Sequence, residues 1–149
     1  MGLLDWLRPK VSANAGPRTA KQVTGGAGER AAEKHLKRLG YRILARNVAC
    51  PRGELDLVAA EPRSGTVCFI EVRSRTAEPG TDPAVDPEST VTLVKRRRVI
   101  AAARHYLAGR RTRGAAFRFD VVAVRFAPGD ADPDVRHYPG AFDVRGRLL

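Results

Sequence analysis

Two acidic residues lie in segments where a folded chain rarely places a charge. Glu71 interrupts the apolar run Cys-Phe-Ile-Glu-Val, and Asp56 interrupts the run Leu-Asp-Leu-Val. An ionised carboxylate in such a segment is unfavourable unless a cation balances it. Two neighbouring carboxylates repel each other, and a hard divalent cation such as Mg²⁺ or Mn²⁺ removes that repulsion. The pattern therefore indicates a metal site of the kind that hydrolyses phosphodiesters, where the metal activates water and stabilises developing charge.

Three predicted strands must bring these acids together. Residues 41–48, 54–60 and 67–75 are rich in β-branched and apolar residues, and short turns containing Pro and Gly separate them. Strands joined so closely pair as an antiparallel meander. Neighbouring strands lie about 4.8 Å apart, so a meander in register brings Asp56 close to Glu71.

Strand alternation predicts which side chains share a face. On the second strand, Glu54 and Asp56 should point to one side and Leu55 and Leu57 to the other, because residues two apart share a face. On the third strand, the same rule places Glu71 on the face of Phe69. On each strand the acids are thus predicted to lie on the face opposite to apolar neighbours, which are Leu55 and Leu57 on the second strand and Ile70 and Val72 on the third.

A predicted helix over residues 27–39, which ends at Gly40, adds a third carboxylate. Glu29 falls on the inward stripe of Ala32 and Leu36, so it is a candidate metal ligand. An alternative is that Glu29 only balances the positive end of the helix dipole.

Nearby cations leave a structural alternative open for each acid. Arg73 shares the face of Glu71 and is a candidate for orienting the nucleophile or neutralising charge. Asp56 and Glu71 could instead form ion pairs with Arg73 or Arg75 inside a structural sheet, and Glu54 could pair with a neighbouring arginine.

The rest of the chain completes an α/β pattern. Residues 92–107 predict a second helix, residues 115–126 a fourth strand and residues 135–138 a short fifth strand. The order α-β-β-β-α-β, followed by this short strand, predicts a central mixed sheet flanked by helices. Residues 76–88 have the proline and glycine content of a loop. We predict a basic flexible tail at residues 1–24 and one domain at residues 25–149.

The charge balance indicates a polyanionic partner. The 149 residues include 27 Lys and Arg against 16 Asp and Glu, for a net charge of +11. Residues 89–119 contain no acid, and an unbalanced basic run of this kind commonly contacts phosphates. Aromatic residues make up only 6% of the chain, which disfavours a base-stacking platform. The predicted nucleic-acid-binding residues are Lys95, Arg96, Arg97, Arg98, Arg104, Arg110, Arg111 and Arg113.

Other classes of protein are disfavoured by what the chain lacks. Cys50 and Cys68 are too few for a disulfide framework, and with three scattered histidines they form no zinc-finger spacing. No apolar run is long enough to span a membrane. We therefore expect a cytoplasmic protein with no membrane partner.

Six motifs in order resemble the YraN-like family of small bacterial proteins. They are Gly-Glu-Arg-Ala-Ala from Gly28, Leu-Gly-Tyr-Arg-Ile-Leu-Ala-Arg-Asn ending at Asn47, Gly-Glu-Leu-Asp-Leu-Val from Gly53, Phe-Ile-Glu-Val-Arg-Ser-Arg from Phe69, Arg-Phe-Asp-Val-Val from Arg118, and His-Tyr-Pro-Gly-Ala-Phe-Asp from His137. The family is similar to the PD-(D/E)xK nuclease superfamily, whose restriction-endonuclease-like core also occurs in Holliday-junction resolvases. The resemblance implies that Glu29, Asp56 and Glu71 are site acids and that Mg²⁺ (or Mn²⁺) is the cofactor.

One position departs from the family pattern. The family usually has Glu-Val-Lys where this chain has Glu71-Val72-Arg73. Arginine keeps the charge but cannot lose its proton in a protein. Lys95 matches a lysine common in the family and is a second candidate for the catalytic cation.

The resulting prediction is a metal-dependent nuclease that acts on DNA, with branched or damaged structures as candidate substrates. A homodimer is an expectation by analogy with junction-cutting relatives. Two alternatives stay open: a nucleic-acid-binding protein of the same fold whose catalysis is weak or lost, and a basic protein-interaction scaffold.

Overall fold

The computed structural model describes residues 20–76, 91–109, 114–129 and 132–149, with side chains from Gly26 onward. Helix α1 begins earlier than the sequence predicts, so it includes residues 20–24 of the predicted tail. Residues 1–19 and most of the predicted loop at residues 76–88 lie outside the described residues. The elements are α1 (Ala20–Arg38), β1 (Arg42–Cys50), β2 (Gly53–Ala60), β3 (Val67–Thr76), α2 (Leu93–Ala108), β4 (Phe117–Phe126) and β5 (Asp134–Phe142).

The strands form one five-stranded sheet in the order β1-β2-β3-β4-β5. The first three strands pair antiparallel, which confirms the predicted meander. Strand β4 runs parallel to β3, because α2 carries the chain back across the sheet before β4 begins. Strand β5 pairs antiparallel with β4 and is longer than predicted. The α/β class and the mixed sheet flanked by helices are thereby confirmed.

Each helix covers one face of the sheet. Ile100 and Tyr106 of α2 pack with Phe69 in one buried cluster. Leu36 of α1 packs with Ile70 and other strand residues in a second buried cluster. The sheet therefore has an α1 face and an α2 face, and both are removed from water.

Local interactions define the start of α2 and the end of α1. The Thr92 side chain accepts a hydrogen bond from the Lys95 backbone N–H at 3.3 Å, so Lys95 lies in the first turn of α2. Gly40 follows α1 with φ of 86°, a left-handed conformation that glycine adopts without strain.

Strand β2 does not alternate as the sequence predicts. Leu55 packs in the α2 cluster, whereas Leu57 packs in the α1 cluster. The prediction that these two leucines share a face is therefore wrong. Alternation breaks at Asp56, which lies between them.

Candidate active site

The two acids that the sequence singled out meet where β2 and β3 stop pairing. The backbone ladder between these strands ends at the Leu57–Ile70 pair, so Asp56 and Glu71 occupy the next, unpaired row. In place of a ladder bond, Asp56 Oδ2 accepts a hydrogen bond from the Val72 N–H at 2.8 Å. The side chain of Asp56 thus holds the two strands at the point where their backbones part.

Glu71 is buried and forms a salt bridge with Lys95. Only 1% of its side chain is exposed, and Lys95 Nζ lies 2.6 Å from its Oε1. Apart from Lys95, this oxygen has no hydrogen-bond partner in the described part of the chain. Burial, and then the negative charge of Asp56, raise the pKa of Glu71 to about 7, although Lys95 opposes the shift.

The same surroundings shift the pKa of Asp56. Burial raises its pKa above the ordinary value, and the Val72 N–H and the charge of Lys95 oppose the rise. The positive charges of Lys95 and Arg73 therefore offset only in part the factors that raise the pKa of each acid. A cation placed between the two carboxylates would stabilise the ionised form of both.

Glu29 of α1 is a neighbour of Asp56. Burial raises the pKa of Glu29, the Asn47 side chain opposes this by hydrogen bonding, and the charges of Asp56 and Glu54 raise the pKa further. Among the described residues, however, no three His, Cys, Asp or Glu side chains converge closely enough to form a metal-binding group. In the structure Asp56 and Glu71 lie together. Glu29 lies near Asp56, but among the described residues the three carboxylates do not form one close group.

Two glycines permit the close packing around these acids, and sequence reasoning missed their role. A Cβ on Gly53 would lie 2.6 Å from the backbone oxygen of Arg98, so only glycine lets the start of β2 approach α2 this closely. A Cβ on Gly28 would lie 2.6 Å from the Ser74 Cβ, so glycine lets α1 approach β3. The available signal was that Gly28 lies inside a predicted helix, where glycine is unfavourable without such a reason.

The acids open into a cleft between the β1–β2 turn and α2. The cleft has a volume of about 460 Å³. Arg73 is not among its lining residues; its charge lowers the pKa of both acids, but it forms no salt bridge within the described residues. Lys95, rather than Arg73, therefore supplies the cation in contact with the acidic pair. The cleft is lined by Ala49, Cys50, Gly53, Glu54, Asp56, Glu71, Lys95, Arg98 and Val99.

Basic side chains continue from the cleft along α2. Arg97, Arg98 and Arg104 are exposed, and a second groove of about 370 Å³ runs between α2 and the β1–β2 turn. Arg96 differs, because it donates a hydrogen bond to the Val91 carbonyl at 2.7 Å and so ties down the start of the helix. The predicted contacts Arg110, Arg111 and Arg113 lie outside the described residues. The second groove is lined by Pro51, Arg52, Ala101, Arg104 and His105.

A sequence profile described as "Uncharacterised protein family UPF0102" matches residues 28–124. The chain belongs to the UPF0102 family. A UPF0102 protein of Anaeromyxobacter dehalogenans is 48% identical over 128 residues, covering 85% of this chain and 89% of the relative. UPF0102 proteins of Myxococcus xanthus (47% identity, 80% and 89% coverage) and of a Mycobacterium species (40% identity, 91% and 94% coverage) also match. The predicted YraN-like membership is thereby confirmed, and these relatives' names state no activity.

The UPF0102 match includes Glu29 and every residue that lines the cleft. It also includes Asp120, which is fully buried on the α1 face and takes no part in the cleft. Asp120 accepts hydrogen bonds from His137 Nε2 at 2.8 Å, Arg118 Nε at 2.9 Å and the Gly140 N–H at 2.9 Å. Arg118 also donates to the Tyr41 hydroxyl at 2.7 Å. This satisfied network joins β4, β5 and the start of β1.

No helix in the described part of the chain has the length and apolarity needed to cross a membrane.

Proposed function

We propose that this UPF0102 protein is a metal-dependent phosphodiesterase that cleaves DNA. The observation that carries the proposal is that Asp56, Glu71 and Lys95 line one cleft together. These residues come from two strands and a helix. The fold places the partly buried Asp56 beside the fully buried Glu71, with Lys95 as the salt-bridge partner of Glu71. Such an arrangement is unfavourable as a structural ion pair and is suited to holding a divalent cation.

The acidic pair fits one hard divalent cation. Mg²⁺ in phosphoryl-transfer sites is commonly held by one or two carboxylates, with water and substrate phosphate completing its coordination. Asp56 and Glu71 supply two carboxylates, and the nearness of Glu29 to Asp56 makes it the candidate for a third contact, direct or through water. A bound Mg²⁺ would neutralise charge on the phosphate and lower the pKa of a water molecule.

The residues of the chain have separable roles in this proposal. The Val72 N–H orients the Asp56 carboxylate. Burial of Glu71 keeps water from screening its charge. Lys95 is 41% exposed, so its ammonium group contacts both Glu71 and the open cleft, where it can stabilise charge that develops on a phosphate. Arg73 contributes a more distant positive charge.

The surroundings of the cleft favour a nucleic acid as the substrate. Arg98 lines the cleft, and Arg97 and Arg104 are exposed on the same helix, so the acids are reached across a positively charged surface. Lys and Arg side chains supply the sequence-independent part of DNA affinity through contacts with phosphates. We also propose that the fold is that of the PD-(D/E)xK superfamily. The protein is further proposed to be cytoplasmic and homodimeric.

Two observations favour an alternative function, which is nucleic-acid binding without cleavage. The described residues provide no convergent group of three potential metal ligands, and the position two residues after Glu71 is Arg rather than Lys. In this alternative the basic surface of α2 binds phosphates and the acidic pair is a remnant.

The experiment is a cleavage assay on labelled linear, nicked and four-way-branched DNA, with Mg²⁺ or Mn²⁺ and with EDTA. We expect metal-dependent cleavage by the wild type, and a loss of at least about a hundredfold in Asp56→Asn and Lys95→Met, because a positioned charged group contributes on that scale. Glu33→Gln is the control, since Glu33 pairs with Arg46 and Lys37 on the surface of α1. Binding of DNA by the wild type with no cleavage under either metal would establish the alternative.

A further inference from the structure

Asn47 has an unusual backbone conformation for a strand residue. It lies inside β1, yet its φ is 47°, and it is the one non-glycine residue with positive φ in the described part of the chain. This left-handed conformation is unfavourable for residues with a side chain, and Asn tolerates it better than most. Strained backbone of this kind tends to occur at functional sites, where the surrounding structure maintains it.

The conformation turns two successive side chains toward the same helix. Arg46 donates to both carboxylate oxygens of Glu33 in α1, at 2.7 and 2.6 Å. In a regular strand the next side chain would point to the opposite face. Asn47 instead hydrogen-bonds with Glu29, which lies one helical turn before Glu33. Val48 then packs against the α2 cluster, so alternation resumes with its phase changed.

The same row of the sheet contains the acidic pair. Strand pairing joins Arg46 to Leu57 and Val48 to Leu55, so Asn47 lies opposite Asp56. Asp56 is also the residue at which β2 loses its alternation. The two strands thus break their pattern together, at the row that leads to Glu71.

From this geometry we propose that Asn47 is a positioning residue for the cation site, which holds the Glu29 carboxylate toward Asp56. The inference rests on the proposed function, because it assigns Glu29 to the cation that Asp56 and Glu71 bind. The Asn47 amide is a hydrogen-bond partner of the half-buried Glu29 carboxylate, which also has the negative charges of Asp56 and Glu54 and the positive charge of Arg30 nearby. Without the amide, Glu29 would turn away from Asp56 to reduce repulsion.

The test is Mn²⁺ affinity, measured by calorimetry or by the paramagnetic effect of bound Mn²⁺ on water relaxation. Asn47→Gly removes the amide but keeps a residue that adopts positive φ, so the variant should fold. We expect its Mn²⁺ affinity to fall about tenfold or more, as is typical when a partner of a metal ligand is removed. Asn47→Ala should show the same loss together with lower stability, because alanine is strained at this position.

Arg46→Ala is the matched control. It removes the neighbouring hydrogen bonds between β1 and α1, so it should lower stability. It should change Mn²⁺ affinity less than about twofold, since the Arg46 guanidinium hydrogen-bonds to Glu33, one helical turn after Glu29. In a Glu29→Gln background, Asn47→Gly should have no further effect on Mn²⁺ affinity. A wild type that binds Mn²⁺ and an Asn47→Gly variant that binds it equally well would overturn the positioning role alone. A wild type that binds no Mn²⁺ would overturn both this inference and the proposed function.

Discussion

Replacing Glu71 by Gln should stabilise the metal-free protein above neutral pH. The fold raises the pKa of Glu71 from its ordinary value of 4.5 to about 7. At 1.36 kcal/mol per pKa unit, keeping this carboxylate ionised in the folded state costs about 3 kcal/mol. The folded protein retains the proton up to about pH 7, whereas the unfolded chain loses it near pH 4.5. Wild-type stability therefore falls as the pH rises between these two values, and Glu71→Gln removes that loss.

Urea unfolding in EDTA at about pH 4, 6 and 8 measures this difference. The free energies of unfolding of wild type and Glu71→Gln should coincide at the lowest pH, and the variant should be more stable by about 3 kcal/mol at the highest. Saturating Mn²⁺ should reduce or reverse the gap, because only the wild type presents both carboxylates. If Glu71→Gln were no more stable than wild type at pH 8 without metal, the argument that the fold holds this acid at an unfavourable energy would be refuted.

Glu33→Gln provides a control of opposite sign. Arg46 and Lys37 lower the pKa of Glu33 to about 2, so its charge stabilises the fold above the ordinary pKa, and that stability is lost as the pH falls toward about 2. Its replacement should destabilise the protein at pH 8.

Three further outcomes follow from the packing and the charge. Gly28→Ala should lower the free energy of unfolding by about 1–3 kcal/mol, because its Cβ would lie 2.6 Å from that of Ser74. Gly26→Ala in the same helix is the control and should raise the free energy of unfolding by about 0.5–1 kcal/mol. Equal effects of the two substitutions in urea unfolding would contradict the close approach of α1 to β3. Asp120→Asn should destabilise by about 3 kcal/mol, since it removes the buried carboxylate that pairs with Arg118 and accepts a hydrogen bond from His137. A change below 1 kcal/mol in the same assay would argue against a structural network. Arg104→Ala should reduce the slope of log K for DNA against log salt by about 1, and an unchanged slope would exclude a phosphate contact there.

Strand periodicity predicted the orientation of Glu71 and failed one strand away. On β3 the alternation is regular, so Phe69 packs on the α2 face and Glu71 contacts Lys95 from the same side, as the pattern indicates. On β2 the pattern predicts that Leu55 and Leu57 face one side, and they face opposite sides. The cause is nonlocal, because Asp56 takes a backbone hydrogen bond from β3 where the ladder ends. A rule of period two carries no information about where a ladder ends.

The residues that line the cleft show that sequence patterns of helices and turns are limited in the same way as those of strands: they do not predict which elements come into contact. The sequence predicted a second helix over residues 92–107, and the structure has it at Leu93–Ala108 with Thr92 as its N-cap. The sequence did not indicate that the first turn of α2 would lie over the acidic pair. That placement depends on the Gly53 backbone lying against the backbone oxygen of Arg98, a contact between residues far apart in sequence. The sequence shows a glycine at position 53, but it does not show that this glycine packs against the Arg98 backbone.

The position of Lys95 changes how the substitution at Arg73 should be interpreted. Taken from the sequence alone, Arg in place of Lys two residues after Glu71 suggests a weakened site, because a guanidinium group does not release a proton. In the structure an ammonium group already lies 2.6 Å from Glu71, and it comes from α2 rather than β3. Arg73 adds positive charge from the strand without lining the cleft. In the proposed function, the lysine that contacts Glu71 therefore lies on α2 rather than two residues after Glu71 on β3.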